Sequence, residues 1–167
     1  ALRRHALGVL RMLVEQRLPL SVSHLLALTA AQFTSNAQFS DPVADVQAFV
    51  FDRLRGLLRD RGYAQDAVEA VVAPSPDRLD DIIERLEAVK AFAALPEAAS
   101  LAAANKRITN ILKKNEGAHG EVQPKLLAEP AEQKLYGAMT DARQAVDQAF
   151  AKGDFSSTLK ALAALRD

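Results

Sequence analysis

The sequence predicts an all-α protein, a bundle of about eight helices, and three observations predict it. Hydrophobic residues make up 49% of the 167 residues but aromatics only 5%, so the apolar content is mostly Ala, Leu and Val. Ala and Leu lose little conformational freedom in a helix, whereas strands draw on β-branched and aromatic residues in alternating runs, and no such runs occur. Pro, Gly and capping residues then punctuate the chain at helical intervals.

Residues 2–18 read as the first helix, stopped by Pro19. At about 100° per residue, Arg4, Gly8, Arg11 and Glu15 share one narrow polar stripe, and Leu2, Leu7, Val9, Leu10, Leu13, Val14 and Leu18 fill the remaining circumference. A helix of that kind is expected to be mostly buried. Ser21 or Ser23 caps a second helix that runs to about Phe33. Residues 34–41 are polar and turn-like. Asp41-Pro42 opens a third helix, with Asp as cap and Pro in the first turn. It runs to Arg61, with Gly62 as C-terminal cap and a core stripe of Val43, Val46, Val50, Leu54, Leu57 and Leu58. A short helix follows over 65–73 and another over about 77–94, each stopped by proline, and a further one runs from Pro96 to about Lys114. Residues 115–128 form the longest loop. Glu129-Pro130 starts a helix to about Lys152, Gly153 ends it, and Asp154 caps the last. The whole is read as a single domain over 1–167, with the stretch near 115–128 a lengthened connection.

Composition excludes several classes. There are 21 basic and 21 acidic residues, so any nucleic-acid binding depends on a local patch, not a global basic excess. The absence of cysteine removes disulfide and Cys–zinc frameworks and is compatible with a reducing cytoplasm. No apolar run approaches the ~20 residues of a membrane span, and no secretory leader pattern is visible. His5, His24 and His119 have no helical His partner for a metal. Neither a phosphate loop nor a nucleophile elbow occurs. No catalytic residue, metal ligand or cofactor site is assigned. The chain begins without Met, inside a helical pattern, and ends at Asp167 in full helical stride, so a piece of a longer protein is expected.

Three cationic patches stand out. Residues 102–114 read Ala-Ala-Ala-Asn-Lys-Arg-Ile-Thr-Asn-Ile-Leu-Lys-Lys, and no acid occurs between Glu97 and Glu116. On a helical wheel Leu101, Ala104, Ile108, Ile111 and Leu112 form the core stripe; Lys106, Asn110, Lys113 and Lys114 lie opposite, with Arg107 on the flank. Cations and amides without counter-charges suit phosphate and sugar contacts, although Lys113 and Lys114 also suit the negative end of the helix dipole. Asn105, at the edge of the apolar stripe, is expected to satisfy a neighbouring backbone. The second patch is Arg4 and Arg11 beside Gly8, which admits a close backbone, either RNA or a packed helix; an Arg11–Glu15 pair is the structural alternative. The third is Arg53 and Arg55, with an Asp52–Arg55 pair as the self-neutralising alternative.

Three stretches together resemble a known family. Ala1-Leu2-Arg3-Arg4 with Ala6-Leu7-Gly8-Val9-Leu10-Arg11 is similar to the opening helix of DALR anticodon-binding domains, without the leading Asp. Phe51-Asp52-Arg53-Leu54-Arg55 and the run from Leu95-Pro96-Glu97 to Ala104-Asn105-Lys106-Arg107-Ile108 resemble the β subunit of bacterial glycyl-tRNA synthetase. So do Glu129-Pro130-Ala131-Glu132 and the stretch from Gly153-Asp154-Phe155 to Leu165. The DALR domain of arginyl-tRNA synthetase is the related alternative, but lacks the Asn-Lys-Arg-Ile pattern. The resemblance implies a C-terminal anticodon-binding domain. Its implied partners are the tRNA for glycine and the synthetase α subunit or α region, with no membrane or DNA partner. ATP and Mg²⁺ are used by the full synthetase, not by this segment. Arg4, Arg11, Lys106, Arg107, Asn110 and Lys113, then Arg53 and Arg55, become the tRNA-binding candidates. A helical protein–protein docking module is the reading from another class: it should show an exposed apolar patch where an RNA binder shows a basic one.

Overall fold

The computed structural model describes residues 1–33, 40, 42–114 and 122–166. Among them it is all helical: α1 Leu2–Glu15, α2 Val22–Ala31, α3 Val43–Asp60, α4 Gln65–Val72, α5 Ile82–Ala93, α6 Pro96–Lys114, α7 Pro130–Ala151 and α8 Phe155–Ala163. Short 3₁₀ turns cover Pro124–Leu126 and Ala164–Arg166. The chain divides into two compact units, Ala1–Val89 and Lys90–Asp167, and the division falls inside α5.

The first unit has a core of large aliphatics. Leu10, Leu13 and Val14 of α1 meet Phe51, Leu54, Leu57 and Leu58 of α3, Val68, Val71 and Val72 of α4, and Val22, Leu79, Ile82 and Leu86. The predicted α3 stripe holds at its C-terminal half. Val46 is exposed and Phe51 takes a buried place instead. α1 is not mostly buried, contrary to expectation: Leu2, Val9 and Met12 are exposed, because only one side of the helix meets other elements of the unit.

Helix ends follow backbone hydrogen-bond accounting. α3 closes with Gly62 at φ 91°, the Gly62 N–H donating to the Arg59 carbonyl and the Tyr63 N–H to the Leu58 carbonyl. α7 closes the same way at Gly153, φ 72°, with the Asp154 N–H donating to the Ala149 carbonyl. Both are the paired left-handed termination expected of those glycines. α1 uses this ending too, but with Arg17 at φ 48° and the Leu18 N–H donating to the Leu13 carbonyl at 3.0 Å. The helix therefore ends at Glu15, short of the Pro19 boundary.

The start of α2 explains a second departure. Ser21 is the cap, its Oγ accepting from the His24 N–H at 3.0 Å. The Val22 N–H donates to the Asp77 carbonyl at 2.8 Å and the Ser23 N–H to Asp77 Oδ1 at 2.9 Å. The first three amides of α2, which have no partner inside the helix, are thus all satisfied. Asp77 supplies two of those bonds, and Ser21 and Arg78 form an isolated antiparallel bridge. Residues 77–81, predicted as the opening of a helix, are held instead as an extended and turned segment, and α5 starts at Ile82. The expected cap at Asp41 lies outside the described residues, as do most of the polar turn before it and residues 115–121 of the long loop.

Among its described residues, the second unit buries little and mostly small residues: Ala98, Ala142, Ala163 and Thr158. α7 and α8 pack on each other, joined by the Gly153 turn and an edge-to-face pair of Phe150 and Phe155 with centroids 5.7 Å apart. α7 opens with a capping box in which Glu129 and Glu132 each accept from the other's backbone N–H, as Glu129-Pro130 promised. Asp154 caps α8 through the Ser157 N–H at 3.0 Å.

Candidate nucleic-acid interface

α6 forms because its first half is Ala-rich, Pro96 opens it and Lys113 and Lys114 complement the negative end of its dipole. Only that first half packs: Ala98 is buried and Leu101 half-buried, against α8 and the turn after it. The second half is exposed residue by residue from Ala102 to Lys114. Ile108, Ile111 and Leu112, read from sequence as core, are 55%, 49% and 47% exposed. The helix is amphipathic as predicted, but among the described residues no element of the second unit covers its apolar side beyond Leu101. Asn105 does not sit in a neighbouring backbone as expected; it is exposed at the rim of an apolar hollow lined by Phe92, Leu101, Leu159, Leu162 and Leu165.

On the adjoining face of α6, which shares Ile111 with the apolar side, Ala103, Lys106, Arg107, Asn110, Ile111 and Lys114 line an open groove of ≈ 520 Å³. Their spacing is the i, i+3, i+4, i+7 pattern of one helical face. Three of the candidate residues, Lys106, Arg107 and Asn110, therefore share one surface. Lys113 falls on the adjoining stripe. Lys114, placed on the cationic face by its spacing but not counted among the candidates, joins the groove. None of these cations makes an ion pair among the described residues. The arrangement offers charge-assisted donors from Lys and Arg and a two-way hydrogen-bonding amide from Asn110 along a solvated helix.

The other candidates belong to the first unit. Arg4 and Arg11 are exposed on α1, on the predicted stripe with Gly8. No Arg11–Glu15 pair forms; Glu15 is taken by Arg61 of the α3 terminus. A Cβ built on Gly8 meets nothing within 4 Å, so Gly8 does not seat another helix of the described structure. Arg53 and Arg55 are engaged within the unit. The Arg53 guanidinium lies 5.0 Å from the centroid of the Phe49 ring and 3.3 Å from Asp52. Arg55 Nε donates to Glu69 Oε1 of α4 at 2.9 Å. The expected Asp52–Arg55 pair is thus replaced by two others, because the partner on α4 became available only through tertiary packing.

No group of three or more His, Asp or Glu able to hold a metal occurs among the described residues, and no helix among them is long and apolar enough to cross a membrane.

Comparison with known proteins puts this surface in context. Residues 1–73 match the family model described as glycyl-tRNA synthetase beta subunit. Over its full length the chain is 55% identical to the glycine–tRNA ligase beta subunit of Ralstonia nicotianae, covering 24% of that protein. It is 51% identical to the subunit of Methylobacillus flagellatus, with 99% of the chain and 24% of the relative aligned. With the Dechloromonas aromatica subunit the identity is 52%, again over 99% of the chain and 24% of the relative. The chain spans about a quarter of the length of the curated relatives it matches. The chain is thus similar from end to end to a segment of glycine–tRNA ligase beta subunits, and over its first helices to the glycyl-tRNA synthetase beta subunit family model.

Proposed function

We propose that this segment is the DALR-type, anticodon-binding domain at the C-terminal end of a glycyl-tRNA synthetase β subunit. Residues 1–167 act as one functional domain that recognises the anticodon region of the tRNA for glycine. In that role it supports the ATP-dependent charging of the tRNA with glycine by the full cytoplasmic synthetase, in company with the α subunit or α region. The segment itself contributes no catalytic group and needs no cofactor; ATP and Mg²⁺ serve the complete enzyme.

The observation that carries this reading is the exposed face of α6. Lys106, Arg107, Asn110 and Lys114 lie side by side on it, with no acid from Ala98 to Lys114. The cations position phosphates, and Asn110 with Arg107 supplies the polar and planar groups that read splayed loop bases. Lys113 adds a phosphate contact from the neighbouring stripe. Arg4 and Arg11 are a second exposed pair. Arg53 and Arg55 contribute by exchanging their intrachain partners for phosphate.

The test is a titration of the chain with the tRNA for glycine and with an unrelated tRNA at two salt concentrations. We expect salt-sensitive binding that prefers the glycine tRNA. Each Lys106→Gln or Lys113→Gln change should lower affinity for both tRNAs and reduce the salt slope by about 1. An unchanged slope in the Lys106→Gln, Arg107→Gln, Lys113→Gln triple variant removes α6 from the interface.

A second reading, a helical docking module, is favoured by the exposed apolar side of the same helix. It predicts no tRNA binding and loss of a protein contact on Ile108→Asp or Ile111→Asp.

A further inference from the structure

α7 carries an apolar groove that the tRNA reading does not use. Glu132, Leu135, Tyr136, Met139, Thr140 and Arg143 of α7 line it together with Val122 and Leu127 of the preceding segment, around ≈ 770 Å³. The six α7 residues recur at three- and four-residue steps, so they form one straight face. Leu135 and Met139 are about half exposed and Tyr136 is a third exposed. The face has an acid at its N-terminal end and a base at its C-terminal end, with apolar residues between.

That order is self-complementary. Laid antiparallel on a second copy about a two-fold axis, Glu132 faces Arg143, Leu135 faces Thr140, and Tyr136 faces Met139. Each relation occurs twice, as an isologous contact requires. Antiparallel placement also sets opposite helix dipoles beside each other. The acid and base are available for this. Glu132 spends one carboxylate oxygen, Oε2, on the Glu129 N–H at 3.1 Å, and Arg143 meets Asp147 only at 4.0 Å with both side chains solvated. We propose that the chain self-associates through this face of α7, the groove of each copy receiving the α7 of the other. The seam is about 16 Å long, so it covers less than the ~800 Å² per partner of a standard interface. The association is accordingly weak.

Sedimentation of the chain without RNA, from ~10 µM to ~1 mM, reads it directly. We expect a monomer–dimer equilibrium with helical content unchanged across the range. Arg143→Glu turns both cross-seam attractions into repulsions and should weaken the dimer at least tenfold. The double variant Glu132→Arg with Arg143→Glu restores the pairing and should recover most of that loss, which a folding defect could not do. A chain still monomeric at ~1 mM overturns the proposal and leaves the groove to another segment or partner. A dimer indifferent to both Arg143→Glu and Tyr136→Lys overturns it too, by placing the contact elsewhere. Neither result bears on tRNA binding, which is read by titration.

Discussion

Asp77 shows how much a single residue can do. Its carbonyl and carboxylate together accept from the first two amides of α2. Asp77→Ala should cost about 1 kcal/mol, as loss of an N-terminal cap does, measured by urea unfolding; Asp77→Asn should cost less, because the amide oxygen still accepts. Hydrogen bonds from the Ser21 side chain, then from the Ser23 backbone, hold the Asp77 carboxyl below its ordinary value. The Arg78 side chain does the same for Asp80, and the Ser157 side chain and backbone for Asp154. A depressed carboxylate favours the folded state above its unfolded pKa. That contribution disappears as pH falls through the folded value. Stability should therefore be flat near neutrality and decline below about pH 4, and Asp77→Asn should flatten the acid limb. Glycines separate by backbone angle. Gly62 at φ 91° should lose about 1 kcal/mol on change to Ala. Gly8, within α1 and with open space around it, should gain about 0.5–1 kcal/mol from the same change. Equal effects at the two sites would refute this.

At the scale of the element, caps were legible because their chemistry is local. Ser21, Gly62, Gly153, Asp154 and the Glu129-Pro130 start all act within a few residues of themselves. What was illegible depended on distant partners. Residues 77–81 have helical composition, yet their backbone is committed to α2, more than fifty residues away. The Arg17 termination of α1 carries no glycine to announce it. Arg55 found Glu69 instead of Asp52, and Glu15 found Arg61 instead of Arg11, because ion pairs follow tertiary neighbours as readily as helical spacing. For the candidate interface, the cationic face of α6 could be read from the wheel, since its residues belong to one helix. That its apolar side would lie open could not, since periodicity reports which side is apolar and says nothing of what covers it. The distinction is measurable. Leu54→Ala, at a fully buried α3 position, should cost 2–5 kcal/mol, roughly the range for buried Leu. Ile108→Ala should stay within about 0.5 kcal/mol; a core-sized loss there would mean that the stripe is covered.

At the scale of the whole molecule, neutrality conceals segregation. Equal numbers of acids and bases coexist with a helix whose last sixteen residues include four cations and no acid. The two compact units also differ in what they bury, large aliphatics in the first and chiefly alanine in the second. Burial stabilises by about 25 cal/mol per Å² of apolar surface, so Ala-rich packing contributes much less than Leu and Phe. Urea unfolding followed by hydrogen exchange should show amides of α6 to α8 opening at lower denaturant than those of α3. A single coincident transition would contradict that expectation.

The bonding at the start of α2 carries a kinetic meaning. Val22 and Ser23 donate to a residue beyond α3 and α4 in the chain, so their amides stay shielded only while the intervening helices are assembled. A local fraying of α2 cannot be distinguished there from a parting of the 77–81 segment. The exchange rates of these two protons should consequently follow the opening of the whole loop between them and Asp77, making them a natural clock for how often the first unit comes undone.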